Sequence, residues 1–347
     1  MESWMSVDFA GEWSEGDVEV LARAVVRAPS VHNTQPWRLV LPAGRAEVFE
    51  RPELALGRHD PEGRDRLISC GAALANLQLA VRVLGRRAEL LLPRAGEAAA
   101  LAGSVLVDGH EPPTSAELHA YSAIPRRRSH RRPFAGARVP DEVSEVLVKA
   151  ATSAGGDVVR AHEDQLPALA GLFEHAARTL RGDREYQAEL AEWTTAWRPD
   201  GVGEGLLAPG YDRSGPPWAG LIRARGRIPG RQTLLTRMEH ESLLFFVTRR
   251  DERDEHARAG IAMQRAWLAA VDAGLSASVL TQPLHVPPIR AQLAERLGLP
   301  GPPQVIMRFG YPSEVSARRT LRRPVTDIFR DSGTTGLSWQ RRSEVEP

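Results

Sequence analysis

Residues Gly71 to Gly85 can be laid over Gly260 to Gly274 without a gap. Both stretches begin and end in glycine. Both carry apolar residues at helical spacing, Leu74, Leu77, Val81 and Leu84 in one and Met263, Ala266, Ala270 and Ala273 in the other. A chain that repeats a core helix is constrained to two related units, each needing that helix to bury its apolar face. Two unrelated Ala-rich helices would read the same way from these residues alone. The 347 residues suffice for one large or two ordinary domains, and 42% hydrophobic with 26% charged residues is globular composition.

Charge excludes some classes of function. The formal net charge is +1, which offers no overall attraction to nucleic acid. Lys149 is the one lysine, so arginine supplies nearly all of the basic residues. The single cysteine, Cys70, rules out an internal disulfide framework or a Cys-cluster metal site, and its place at the start of an apolar helix reads as a buried, inert thiol. No H-E-x-x-H, C-x-x-C, Walker loop or nucleophile elbow occurs, and no G-x-G-x-x-G follows a strand; the reading assigns no metal. The acidic N-terminus (Glu2, Asp8, Glu12) is unlike a signal peptide and no apolar run approaches a membrane span, so a cytoplasmic protein without membrane or nucleic-acid partners is expected.

Three segments carry candidate chemistry. Ala28-Pro29-Ser30-Val31-His32-Asn33-Thr34-Gln35-Pro36-Trp37 lies between a helical run (Val18, Leu21, Val25) and a strand-like run from Trp37 to Leu41. Its prolines set a rigid loop that offers short polar side chains and N–H groups. In Arg126 to Arg132, Arg127, Ser129 and Arg131 alternate, so an extended segment would aim all three one way. Arginine's planar fork suits a phosphate dianion, although a solvated basic run is the plain alternative. Arg322-Arg323-Pro324 follows Phe309-Gly310-Tyr311-Pro312 near the end of the chain.

The pattern A-P-S-x-x-N-x-Q-P-W-R, the segment Arg127-Arg128-Ser129-His130-Arg131 and the C-terminal Phe309-Gly310-Tyr311-Pro312 with Arg322-Arg323-Pro324 together resemble the nitroreductase family of FMN-dependent oxidoreductases. Their order is inverted: in an ordinary member the arginine segment precedes the A-P-S loop. The arrangement resembles the family's tandem Acg-type FMN-binding subfamily over nearly the whole chain. This implies an α+β fold of two nitroreductase-like halves, mixed sheets wrapped by helices, fused into a pseudo-dimer. Residues 1–120 form the first half with the A-P-S loop. Residues 121–330 form the second half with the arginines and a lid-like insertion at 165–235, and 331–347 a flexible tail. In the second half Ala151-Thr152-Ser153-Ala154-Gly155 replaces the A-P-S loop, so each half lacks what the other keeps.

The resemblance implies one composite FMN site. Pro29, Ser30 and Asn33 would meet the ring and ribityl chain, with Gln35-Pro36-Trp37 bracing the loop and His32 a spectator. Arg127, Ser129, Arg131 and Arg322 or Arg323 would hold the phosphate. Leu280, Thr281 and Gln282 fall in a stretch, Gly274 to Pro283, that in the family presents a backbone N–H to the flavin N5. Thr281 and Gln282 stand where the family carries Glu-Gly or Gly-Gly, which puts ordinary turnover in doubt. No side chain is assigned as catalytic, because the flavin carries the redox chemistry. The implied activity is NAD(P)H-dependent reduction of a nitroaromatic, quinone or similar small acceptor, with NAD(P)H a transient co-substrate. The alternative is FMN sequestration under a lid built from Trp193, Trp197 and Trp218; a weaker idea is substrate dehydrogenation in a biosynthetic pathway. The chain would act as a monomeric pseudo-dimer or a weak homodimer.

Overall fold

The computed structural model of the chain describes residues 13–93, 100–193, 228–313, 320 and 322–329. The tail 331–347, Trp197, Trp218 and the Pro- and Gly-rich stretch around them lie outside the described residues.

Helix α1 (Glu15–Val26) starts at a capping box in which Ser14 and Asp17 exchange side-chain and backbone hydrogen bonds. The Ala28–Trp37 loop leads into strands β1 (Trp37–Val40) and β2 (Arg45–Glu50), then helix α2 (Arg64–Val83) and strands β3 (Arg86–Leu91) and β4 (Leu101–His110). Helix α3 (Ser115–Ala123) and the arginine segment link this unit to α4 (Asp141–Thr152) and β5 (Asp157–Arg160). Helices α5 (Leu166–Gly182), α6 (Arg184–Trp193) and α7 (Arg231–Met238) precede β6 (Ser242–Val247). Helix α8 (Arg253–Asp272), β7 (Ser276–Val279), α9 (Pro287–Leu297) and β8 (Pro303–Gly310) complete the described elements.

The same strand order appears twice. The first sheet runs β1-β2-β4-β3 and the second β5-β6-β8-β7, every ladder antiparallel. The sheets expected to be mixed are therefore antiparallel, and among the described residues parallel pairing is confined to the isolated bridge Ser129–Ala277. Each long helix joins the second and third strands of its sheet, which run parallel to each other on either side of the fourth, so the helix is the crossover that a hairpin cannot replace.

The repeated helices explain their own glycines. Helices α2 and α8 pack against each other, and a Cβ at Gly71 would sit 2.0 Å from Ala257 O, one at Gly260 2.0 Å from Ile68 O. The two contacts are reciprocal, each glycine facing the residue three positions before its counterpart. Both helices end at a left-handed glycine, Gly85 (φ 77°) and Gly274 (φ 75°). Buried polar side chains tie the joint: Gln264 donates to Asn76 Oδ1 (2.8 Å), Asn76 to Ala24 O (2.9 Å), and Glu50 accepts from Arg66 (2.7 Å) and Arg253 (2.6 Å).

One core spans both units, with Leu21, Trp37, Leu74, Phe246, Trp267 and Met307 among its fully buried members. The first sheet is one-sided; β3 alternates between half-buried and exposed positions. Strands β6 and β8 are buried at every residue because α5, α7 and α9 add a second core over the opposite face, built on Phe173, Phe245, Leu293 and Ile306. That double cover is why Leu243 to Val247 reads as an unbroken apolar run. Among the described residues no helix is long and apolar enough to cross a membrane.

Candidate functional site: an arginine-lined and aromatic cleft

The Ala28–Trp37 loop follows α1 and is held in an unusual shape. His32 (φ 45°), Asn33 (φ 60°) and Gln35 (φ 51°) all adopt left-handed backbone, a strained state for side-chain-bearing residues that persists where the surroundings enforce it. The surroundings do so here. Ser30 Oγ accepts the Gln35 N–H (3.0 Å), and Ser69 Oγ on α2 accepts the Val31 N–H (3.1 Å). Gln35 Oε1 accepts the Arg323 N–H (3.0 Å), and the Cys70 thiol donates to Pro36 O (3.3 Å). Burial pushes that thiol well above its ordinary pKa, so Cys70 is an inert internal donor.

Opposite this loop runs the arginine segment. It is extended alongside β7, with Ser129 bridged to Ala277 and the His130 N–H donated to Ala277 O (2.9 Å). A buried arginine on β8 fixes it from behind. Arg308 donates to His130 O (2.9 Å), Arg132 O (2.7 Å), Ser278 Oγ (2.8 Å) and Glu241 Oε1 (2.8 Å), with its guanidinium over the Phe134 ring.

Between loop and segment lies a cleft of two joined lobes. The polar lobe is lined by Arg27, Asn33, Arg127, Arg128, Thr320 and Arg322 among others. The second lobe is more apolar, walled by Ile68, Met263, Trp267, Val279, Thr281 and Gln282, with His32, His59, Asp65 and Ser69. Pro29, Ser30, Ser129 and Arg131 line both lobes. Asn33 Oδ1 accepts a hydrogen bond from Arg322, closing the polar lobe across the chain's two ends.

The polar lobe is built for an anion. Arg127 is buried, with its guanidinium 4.5 Å from the Trp267 ring centre, and its Nε and one terminal nitrogen have no hydrogen-bond partner among the described residues. Burial, together with the charges of Arg322, Arg128, Arg131 and Arg27, drives its pKa well below the usual arginine range. Burial and the Arg27 and Arg128 charges likewise lower Arg322 to about 10. Converging guanidiniums with buried, unsatisfied donors are stable when a multivalent oxyanion lies between them. The lobe therefore fits a phosphate, and the adjoining Trp- and Met-walled lobe fits a planar ring.

The structure brings Pro29, Ser30, Asn33, Arg127, Ser129, Arg131, Thr281, Gln282 and Arg322 to this one cleft. It sets two candidates apart. Leu280 is buried in the second core and gives its N–H to Ile306 O (2.8 Å), because β7 and β8 keep pairing at that point. Arg323 is absent from both linings and serves the loop through its backbone N–H. His32, taken for a spectator, forms part of the ring lobe. The sequence reading did not single out His59, Asp65, Trp267, Met263, Arg27 or His285. Trp267 and Met263 lie on the repeated helix and read as ordinary core.

Two sheets of one topology, joined through a pair of glycine-notched helices and enclosing an anion lobe beside a ring-shaped one, define an α+β protein of the nitroreductase class. The profile of the nitroreductase family matches residues 215–311. A Mycobacterium tuberculosis protein with the provisional name NAD(P)H nitroreductase Rv3131 is 32% identical over 300 residues, 85% of each chain. A second from that organism, provisionally named NAD(P)H nitroreductase acg, is 27% identical over 316 residues, 87% of this chain and 92% of its own. A solved structure from Anabaena variabilis, provisionally described as a nitroreductase, superposes with a TM-score of 0.51 at 13% identity, covering 90% of this chain and 93% of that one, and shows the same fold. The chain belongs to the nitroreductase family.

Proposed function

We propose that the chain binds one FMN in this cleft and acts as an NAD(P)H-dependent oxidoreductase on a small acceptor such as a nitroaromatic or a quinone. The observation that carries the reading is Arg127: a buried guanidinium with two unsatisfied nitrogens, facing other arginines, lying over Trp267 where the polar lobe meets the lobe walled by Trp267 and Met263. FMN has one dianionic end and one planar, largely apolar end. Arg127, Arg131, Arg322 and Ser129 would hold the phosphate by charge-assisted hydrogen bonds. Pro29, Ser30 and Asn33 would line the ribityl chain and ring edge. The ring supplies the hydride-transfer chemistry when bound. The protein's part is to orient it, keep water from one face and leave the other open to NAD(P)H and acceptor in turn.

The cleft is composite: its loop and Arg27 come from the unit of the first sheet, and Arg127, Arg131 and Arg322 from the part of the chain that follows it. This supports a fused pseudo-dimer with its two halves meeting near residue 120, a single polypeptide doing what two identical subunits do elsewhere.

One observation favours a storage role as the second reading. Helix α6, from the 165–235 insertion, docks beside the ring lobe: Glu189 accepts the backbone N–H groups of Arg58 (2.8 Å) and His59 (2.7 Å), and Asp183 pairs with Arg58 (2.7 Å). A segment anchored there is placed to cover a bound ring. Adding NADPH anaerobically to the yellow, FMN-loaded protein separates the readings. Rapid bleaching is expected for the oxidoreductase; flavin that stays oxidised supports storage; a protein that takes up no FMN removes both.

A further inference from the structure

The wall of the ring lobe holds a cluster of side chains that holding a flavin does not require. His59 precedes α2, Asp65 lies in its first turn, and His285 follows β7. His59 Nε2 (3.3 Å) and His285 Nε2 (3.0 Å) both meet one oxygen, Asp65 Oδ2. One donor atom from each of the three lies within 4.8 Å of the others. The His32 ring lies 4.4 Å from that of His59, which lies 4.1 Å from that of His285. All four side chains are nine-tenths buried or nearly so, and His32 Nε2 and His59 Nδ1 have no hydrogen-bond partner among the described residues. Buried imidazole nitrogens without partners are uncommon and mark places built for something else to occupy.

We propose that His59, Asp65 and His285 form a divalent transition-metal site in the wall of the ring lobe, with the His32 ring packed beside it. The donor set is two imidazoles and one carboxylate, which suits Zn²⁺, Co²⁺, Ni²⁺ or Fe²⁺ and not the all-oxygen preference of Ca²⁺ or Mg²⁺. Ligand atoms at about 2.0–2.1 Å from one ion are separated by roughly 3 Å. The two Asp65 distances already have that spacing. The second shell is anionic on one side, where Asp60 accepts the Asp65 N–H (3.1 Å). It is cationic on the other. Arg64 stands 3.4 Å from both His285 Nδ1 and Asp65 Oδ1, and Arg131 charge reaches His32. Ligation by His285 Nε2 places a proton on Nδ1, so Arg64 must swing aside. Its contacts there, including Leu284 O at 3.5 Å, are all at the outer limit of a hydrogen bond, so it moves at small cost. The nearby arginine charges make the site weaker than a structural zinc site.

A metal so placed would act as a Lewis acid on an oxygen of the acceptor, a nitro, quinone or carbonyl group. That consequence rests on the flavin reading; the metal site does not.

The test is a cobalt(II) chloride titration of the untagged, chelator-treated chain, read by visible d–d absorption and by bound metal after gel filtration. One Co²⁺ per chain, displaced by Zn²⁺, is expected. Affinity should fall at least tenfold in His285→Ala and in Asp65→Ala, with a smaller loss in His32→Ala. Unchanged far-UV circular dichroism and a cooperative thermal transition close to that of the wild type show that a variant is folded. Absent cobalt bands with no metal retained by the wild-type chain, or undiminished binding in the His59→Ala, His285→Ala double variant, overturns the site. Cobalt binding without FMN uptake would sink the flavin reading alone, and FMN uptake without cobalt the metal site alone.

Discussion

Arg127 concentrates the physical argument at the scale of a single residue. Its guanidinium is desolvated and short of partners, so in the ligand-free chain it is a liability. Two effects of opposite sign follow. Arg127→Met should weaken FMN binding by about 2–3 kcal/mol, the worth of charged hydrogen bonds to a buried phosphate. The same variant should leave the melting temperature of the FMN-free protein unchanged or raise it. Calorimetry with and without FMN checks both; a lower apo melting temperature with unchanged FMN affinity would make Arg127 a structural residue. This duality was legible in part. The spacing of Arg127, Ser129 and Arg131 and the resemblance pointed at the phosphate. Arg27 joins the lobe only because α1 and the segment converge in space, and no sequence signal marks it. The cluster of His59, Asp65 and His285 was illegible for a similar reason, since His285 lies 220 residues beyond Asp65 and His59 and Asp65 sit in no metal-binding spacing.

At the scale of elements, the α2–α8 contact and the β8 arginine set the geometry of the cleft. Gly260→Ala would drive a methyl group against Ile68 O, backbone that moves only if the helices part. It should destabilise the chain by about 3 kcal/mol, and a urea midpoint within error of wild type would deny the close approach. Arg308→Leu should cost about 3–5 kcal/mol by stranding Glu241, a buried carboxylate that burial already pushes above its usual pKa. It should also loosen the segment that carries Arg127, seen as lower FMN affinity in whatever fraction folds. Acid stability resides elsewhere. Burial raises the Asp251 pKa, but hydrogen bonds from Arg290, His256 and Gln304 outweigh it and hold the carboxyl well below the usual carboxylate range. A depressed folded-state pKa means that the stability from Asp251 is present above about pH 4 and lost as pH falls below it. Asp251→Asn should therefore flatten the acid limb of a stability–pH curve measured by denaturant unfolding; an unchanged limb would put the acid-sensitive group elsewhere. Most of these elements were readable from periodicity. The apolar pattern marks only Val105 to Val107 of strand β4, because Gly103, Ser104, Asp108 and Gly109 interrupt it while the strand's pairing runs from Leu101 to His110. Leu280 was assigned to the flavin because its stretch resembles a family motif, yet sheet pairing with Ile306 had already claimed its N–H.

For the whole molecule, the claim is that two units of one topology share a single cleft. The repeated helix predicted the duplication, and the twofold strand order agrees with it. On the proposed reading, the loop kept in one unit and the arginine segment in the other complete each other. Ligand binding should then stabilise the chain as one cooperative body, by about 2.7 kcal/mol at a hundredfold excess of FMN over its Kd. Riboflavin, lacking the phosphate, should give a much smaller rise in melting temperature. The most direct test is calorimetric titration of FMN into the wild-type chain and into Asn33→Gly and Arg127→Ala, the glycine tolerating the left-handed backbone at position 33. A shared cleft predicts one FMN per polypeptide, with that single event weakened in both variants. Two FMN per polypeptide, or one whose affinity responds to only one of the two substitutions, would contradict it.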